Sequence, residues 1–373
     1  MKRTIFLLYL MACLFSISFA DVLVYRTDPF NLLRIYDLKE GSKKWLRWKI
    51  TDFEASEELV VYHDTKGSFY LYDIKSQKEI YLGRNVSSYR MDDRFIAYED
   101  SGGRLFAAEA ESGKLRLVTS HVKHYGLSGP NLIYIDSEGW LKTYSIRNGR
   151  EKKVVEGLES FQLSDNYLVY NDSQQGVWFA NPRFPRPERI EDVSGRVVLM
   201  DQYLIFGGTW GDLELYDLRK KEVVYSSSDI RELFLTRQLM VYSMNYGGLM
   251  VRELRNFEER ILGDFHGVWR AAGMMIGFQH WGKVVFYDHQ RNEKFNLGPG
   301  LFDFAVGKGG IAYRVGPSDL RYFDADSGEV ISIAGNVSSF QIIDGSDTAL
   351  VIHPPQNKKF QALYKTLDQQ LEE

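Results

Sequence analysis

The stretch VSSYRMDDRFIAYEDSGGRLFAAEAESGKLRLVT, Val86–Thr119, holds four short apolar-rich runs separated by turn residues. The runs VSSYRMD, RFIAYED, GRLFAAE and KLRLVT are each long enough for a strand and too short for a stable helix. Asp, Ser and Gly between them favour tight turns, through side-chain capping or a permissive backbone. Four such runs in succession predict a small antiparallel sheet, with strands labelled a to d in chain order.

The unit recurs along the chain. The position that opens the c-to-d turn falls at Asp37, Asp73, Glu109, Ser145, Asn181, Asp217, Glu253, Asp288 and Asp324, with every gap 36 residues except one of 35 between Glu253 and Asp288. Strand b reads LVVY, FIAY, YLVY, YLIF or LMVY and ends at Tyr62, Tyr98, Tyr134, Tyr170, Phe206, Tyr242, Phe278 and Tyr313. Strand a carries apolar residues two apart, as at Phe53 and Ala55, Tyr89 and Met91, or Tyr125 and Leu127. A period of two means one buried face of a strand, so the unit is a sheet and not a helical repeat. A four-stranded unit at this period is the signature of a β-propeller blade. A single blade cannot cover its own apolar faces, so neighbouring blades must.

The segment YHDTKGSFYLYDIKSQKEIYLG, Tyr62–Gly83, resembles the TolB-type and WD40-like repeats of the YVTN/PQQ-like propeller superfamily, in which a Leu-Tyr-Asp turn sequence leads from c to d. The resemblance covers roughly 21–344 and implies an all-β closed propeller; it implies no particular activity. Nine c-strand signatures predict nine blades, with eight as the alternative. The chain offers strands b, c and d from Val22 and ends its clear repeats on a strand a at Val337–Ile343, so these termini are expected to share one composite blade that closes the ring. Residues 21–347 are assigned to the propeller and 348–373 to a tail. In that tail TALVIH resembles a further strand b, competing with VLVY for the same place. Phe360, Leu363, Tyr364, Leu367 and Leu371 have the spacing of a short C-terminal helix.

The N-terminus reads MKRTIFLLYLMACLFSISFA, a basic start, an apolar run and Ser18-Phe19-Ala20, which predicts a signal peptide over 1–20. Cys13 in LMAC is the sole cysteine and gives a lipoprotein alternative. Export to the periplasm, cell surface or medium is therefore expected, with a fold held by its core and not by disulfides. Removing Lys2 and Arg3 leaves 44 basic residues against 50 acidic ones, a balance that argues against nucleic acid or an anionic membrane as partner. No integral membrane segment remains after cleavage, and a monomer is expected.

Function is written faintly by comparison. Asp64, Asp100, Asp136 and Asp172 share one register after strand b and are read as turn caps in preference to calcium ligands. The seven histidines are scattered without metal spacing, and no phosphate loop, dinucleotide fingerprint or nucleophile elbow occurs, so no metal or cofactor is called for. The b-to-c turns GTWGD, MNYGG and QHWGK place Trp210, Tyr246 and Trp281 at equivalent tips of three consecutive units. Other units manage without aromatics there, which marks these three as the candidate binding residues. FPRPER, Phe184–Arg189, replaces the usual c-to-d turn and is read as a protruding loop. Two functions follow: an exported scaffold that binds a protein or glycan through one face of the ring, or a channel-centred enzyme such as a polysaccharide lyase or glycoside hydrolase. Asn85 and Asn336 occupy one register, the turn from d into a, and sugar on these sequons or on the third at Asn171 would require a eukaryotic source.

Overall fold

The protein is described from a computed structural model, which covers residues 22–352 apart from 57, 195–196, 208–212, 245–246, 265–268, 282, 300, 308, 317 and 344–349. Nine antiparallel sheets are arranged as blades, each with strand a innermost and strand d outermost. Blade 1 is composite, its strand a (Val337–Ile343) pairing with strand b (Val22–Thr27), which pairs in turn with Leu32–Asp37 and Lys43–Arg47. Blades 2 to 9 follow in chain order over 50–84, 86–119, 122–156, 162–194, 198–227, 230–264, 269–299 and 301–334.

The ring is held by nine apolar clusters, each shared by two adjacent blades. The packing of strand b on both its faces explains its run of consecutive apolar residues. Val22 and Val24 pack toward blade 2 against Ile50, Val60 and Tyr62, whereas Leu23 and Tyr25 pack toward blade 9 against Ala312, Leu320 and Tyr322. A strand buried on both faces gains burial from consecutive residues, about 1.5–3 kcal/mol for each Val, Leu or Phe taken out of water. The Leu23–Tyr25 cluster is also the evidence that the ring closes, because it joins the first blade to the last.

Two kinds of turn set the two faces of the ring. The b–c face carries the b-to-c and d-to-a turns; the a–b face carries the others. On the b–c face Asp64, Asp100, Asp136 and Asp172 each accept two backbone N–H groups through Oδ1, from the residues two and four further on, at 2.8–3.0 Å. That accounts for their shared register as turn caps. At the d-to-a turn Lys49, Asn85 and Asn336 stand in the left-handed region, at φ 60°, 56° and 57°. Their carbonyls accept from Thr65, Ser101 and Asp28 in the b-to-c turns of the same blades, at 2.9, 2.8 and 3.0 Å. Asparagine is among the few residues that tolerate this conformation, so the Asn-Val-Ser-Ser repeat is a backbone requirement. The 35-residue gap has its cause here too: two residues separate His280 from Lys283 in blade 8, against three between Asp64 and Ser68.

Two expectations are corrected. FPRPER is no protruding loop; Phe184–Ser194 is one long strand d, and Phe184 pairs with Asn181 across the short turn at Pro182 and Arg183. Its prolines are tolerated because Pro185 and Pro187 fall where the register with strand c shifts, between the Phe184 and Glu188 pairings, on the outer edge strand of the sheet. Leu350–Ile352 is a strand, but it does not compete with Val22–Thr27, which fills blade 1 by pairing on both sides. It adds instead to the channel edge of strand a in blade 7, with Leu350 opposite Leu235 and Ile352 opposite Leu233. An innermost strand leaves one row of backbone groups unpaired, which is what a further strand needs. The helix expected over 360–371 and the N-terminal segment 1–20 lie outside the described residues.

Candidate functional site

Of the three aromatic tips, Trp281 is described and Trp210 and Tyr246 lie outside the described residues. Trp281 sits on the two-residue b-to-c turn of blade 8 and is 71% exposed. Its backbone lies at φ 49°, in the region that glycine and asparagine favour and bulky side chains avoid. The neighbouring His280 contacts the Asp264 carbonyl through Nδ1 at 2.5 Å and meets the indole edge-on, ring centres 6.2 Å apart. The turn therefore holds its tryptophan outward.

The structure adds two residues that sequence comparison passed over. Phe30, at the b-to-c tip of blade 1, is 70% exposed, and Trp48, in the following d-to-a turn, is 65% exposed. The Lys49 N–H donates to the Phe30 carbonyl at 3.1 Å, which brings the two turns together, and the Lys49 ammonium lies 5.9 Å from the Trp48 ring centre. The signal was available: Phe30 occupies the tip register of Trp281, but Tyr25 is one residue out of step and hides the correspondence. Phe30, Trp48 and Trp281 thus share the b–c face.

The mouth of the channel on this face also carries polar groups. His63 Nδ1 lies 2.7 Å from Asp52 Oδ1, and the imidazole stacks on Phe69 with ring centres 4.5 Å apart. Burial works against the Asp52 anion, but the His63 hydrogen bond and charge prevail and lower its pKa. Arg26 reaches the same corner, donating to the Thr51 carbonyl and to Ser338 Oγ. Further along the inner strands, several polar side chains join one blade to the next. Ser88 and Tyr125 share a 2.8 Å hydrogen bond; Gln162 donates to Val197 and accepts from Leu199, both at 2.6 Å; Trp269 donates to Glu232 at 3.1 Å. These groups serve ring cohesion. Among the described residues no three His, Asp or Glu side chains are grouped as a metal site, and no helix is long and apolar enough to cross a membrane.

No protein-family model and no curated protein sequence matches the chain. Among solved structures it is similar to apo AztD from Citrobacter koseri, at 10% identity and TM-score 0.44 over 90% of this chain and 99% of that one. It is also similar to BamB from Moraxella catarrhalis, at 14% identity and TM-score 0.40 over 71% of this chain and 93% of that one. The dihydro-heme d1 dehydrogenase NirN in complex with DHE aligns at 15% identity and TM-score 0.47 over 89% and 77% of the two chains. The nine sheets and their nine shared clusters define the chain as a β-propeller of nine blades, a scaffold fold.

Proposed function

We propose that the protein is an exported, non-enzymatic propeller that recognises a protein or glycan partner through its b–c face. The observation that carries this reading is Trp281, a large aromatic side chain held in solvent on a backbone conformation unsuited to it. Phe30 and Trp48 extend the aromatic surface from blade 1, and Trp210 and Tyr246 are the sequence-based additions from blades 6 and 7. Exposed Trp is among the residue types that dominate binding hot spots, and Trp48 and Trp281 both stand exposed on this face. The export assignment rests on Lys2, Arg3, the apolar run and Ser18-Phe19-Ala20. Affinity capture from native extract with the wild-type protein, and with Phe30, Trp48 and Trp281 all replaced by Ala, tests the site. Loss of the captured partner at unchanged melting temperature is expected, and equal capture by both proteins overturns it. N-terminal sequencing of the natively expressed protein should begin at Asp21; an intact Met1 end would refute export by cleavage.

A second reading, a channel-centred hydrolase or lyase, has the Asp52–His63 pair in its favour, since a carboxylate that orients an imidazole is a common base arrangement. Replacing His63 by Gln and assaying polysaccharide breakdown decides it: activity lost with the imidazole supports catalysis, and no turnover by the wild-type protein removes the reading.

A further inference from the structure

We propose that the cleft between blades 5 and 6, on the a–b face, is a second docking site that takes carboxylate side chains of an acidic peptide segment on a partner protein. The cleft has a volume of about 510 Å³ and lies between the a-to-b and c-to-d turns of the two blades. Phe179 is buried at its floor, with Tyr167 half-buried and the two ring centres 6.3 Å apart. Arg186 and Arg219 stand exposed at its rim.

The charges of the cleft are one-sided. Among the described residues neither Arg186 nor Arg219 forms an ion pair. The acids around them are already engaged. Glu188 is held by Lys221 at 2.5 Å. Asp217 is buried, accepts the backbone N–H groups of Arg219 and Lys220, and takes a bond from Gln202. The amide oxygen of Asn181 is likewise committed, to the Arg183 N–H at 2.8 Å. The exposed side chains of Arg183 and Lys220 add positive charge on the same two turns, in a chain whose overall charge is -4.

An anion fits this arrangement, and a carboxylate fits it best, because the planar guanidinium offers two parallel N–H groups at carboxylate spacing. The aromatic floor lowers the local dielectric on one side and strengthens such a pair. Recognition of the partner's backbone is disfavoured on this rim, since Pro185 and Pro187 remove two donors from the outer strand. The partner is therefore read through its side chains, by charge complementarity. This site is independent of the aromatic b–c face and stands or falls separately.

The test uses the full chain and a fluorescein-labelled ten-residue peptide in which Glu and Asp alternate with Phe and Gly, together with its Gln and Asn isostere. Anisotropy titration should show binding of the acidic peptide and at least about tenfold weaker binding of the amide peptide, with the acidic complex weakening as salt rises. Arg186→Gln with Arg219→Gln should lose the same factor at unchanged melting temperature. Should that double variant misfold, Arg186→Lys with Arg219→Lys keeps the charge and removes the fork; intermediate affinity is then expected. Triple Ala replacement of Phe30, Trp48 and Trp281 should leave peptide binding intact. No binding of the acidic peptide, equal binding of the amide peptide, or full binding by the folded Gln variant overturns the proposal. Tighter binding of tetragalacturonate than of the peptide overturns the peptide assignment and gives the cleft to an acidic glycan.

Discussion

The Tyr134 hydroxyl donates to the Glu151 carboxylate, and the same pair, 17 residues apart each time, recurs as Tyr62 with Glu79 and Tyr242 with Glu259. Strand b reaches across strand c to strand d in three blades by one device. A cation completes each: Arg47 on Glu79 at 2.6 Å, Lys142 on Glu151 at 3.4 Å, and Arg252 on Glu259. The buried phenol thereby keeps a partner, which its otherwise apolar strand cannot supply.

Tyr134→Phe should cost about 1 kcal/mol, the ordinary net worth of one hydrogen bond, and Glu151→Ala about 2 kcal/mol, because it leaves the buried phenol unsatisfied. Urea unfolding at pH 7 measures both. Equal stability of Tyr134→Phe and wild type would show that the recurring pair contributes nothing.

Alkaline pH should unfold the ring early. Burial first, and a neighbouring carboxylate second, raise the phenols of Tyr62 and Tyr134 above their ordinary 10.0. Tyr98 and Tyr170 are pushed up to about 12 by burial and then by Asp100 and Asp172. A group whose folded pKa is raised contributes stability in full below its unfolded pKa, and that stability is lost as pH climbs from 10.0 toward 12. Melting temperature should therefore be flat to about pH 9.5 and fall steeply above pH 10. A flat profile to pH 11.5 would contradict it.

Mild acid acts through two histidines. Burial lowers the pKa of His124 below 6.5, the Phe161 carbonyl opposing it and Arg90 assisting. Burial and then Arg260 lower that of His289, against Glu253. Depressed folded values mean that stability is present above 6.5 and is lost as pH falls below it, since the unfolded chain takes up the proton more readily. Thermal melts between pH 7.5 and pH 5 should show this slope, and His124→Gln should reduce it. An unchanged slope would move the effect elsewhere.

Trp281→Asn should stabilise the fold while weakening partner capture. Asparagine accepts φ 49° with less strain, so a gain of about 0.5–1 kcal/mol is expected. A loss of stability would mean that Trp281 serves the turn, and the aromatic-face reading would lose its main support.

Asn85→Gly and Asn336→Gly should be nearly neutral, whereas Asn85→Ala and Asn336→Ala should each cost about 1 kcal/mol, from the left-handed backbone at φ 56° and 57°. Urea midpoints measure the difference, and equal midpoints for the Ala and Gly variants would remove the backbone explanation for the repeated Asn-Val-Ser-Ser.

The blades were legible because both faces of every strand b must be buried, which writes an apolar run into each repeat, and because turn chemistry places Asp and Gly at fixed offsets. The composite blade followed from strand order alone. Less legible was anything that depends on which groups meet across blades. Phe30 and Trp48 come together through a backbone bond between two turns, and neither residue type requires the other. Strands a, b and c of blade 6 separate Arg186 from Arg219 in the sequence, and Glu188 beside them reads as their natural partner until Lys221 is seen to hold it. Leu350–Ile352 could be recognised as a strand from its composition, but its place depends on which strand edge in the ring remains open, and composition is silent on that.

The composite blade also has a consequence for how the molecule is made. Blade 1 pairs Val24 with Gln341 and Leu23 with Ile342, joining segments from opposite ends of the chain. During synthesis, its first three strands emerge before any of the other blades, and they must wait for blade 9 to cover Leu23 and Tyr25 and for the last strand a to pair with the edge of Val22–Thr27. The ring can thus close only after the segment through Ile343 has been made. A chain terminated before Val337 would carry eight finished blades and an unsealed gap, and quality-control machinery would meet it as an open arc.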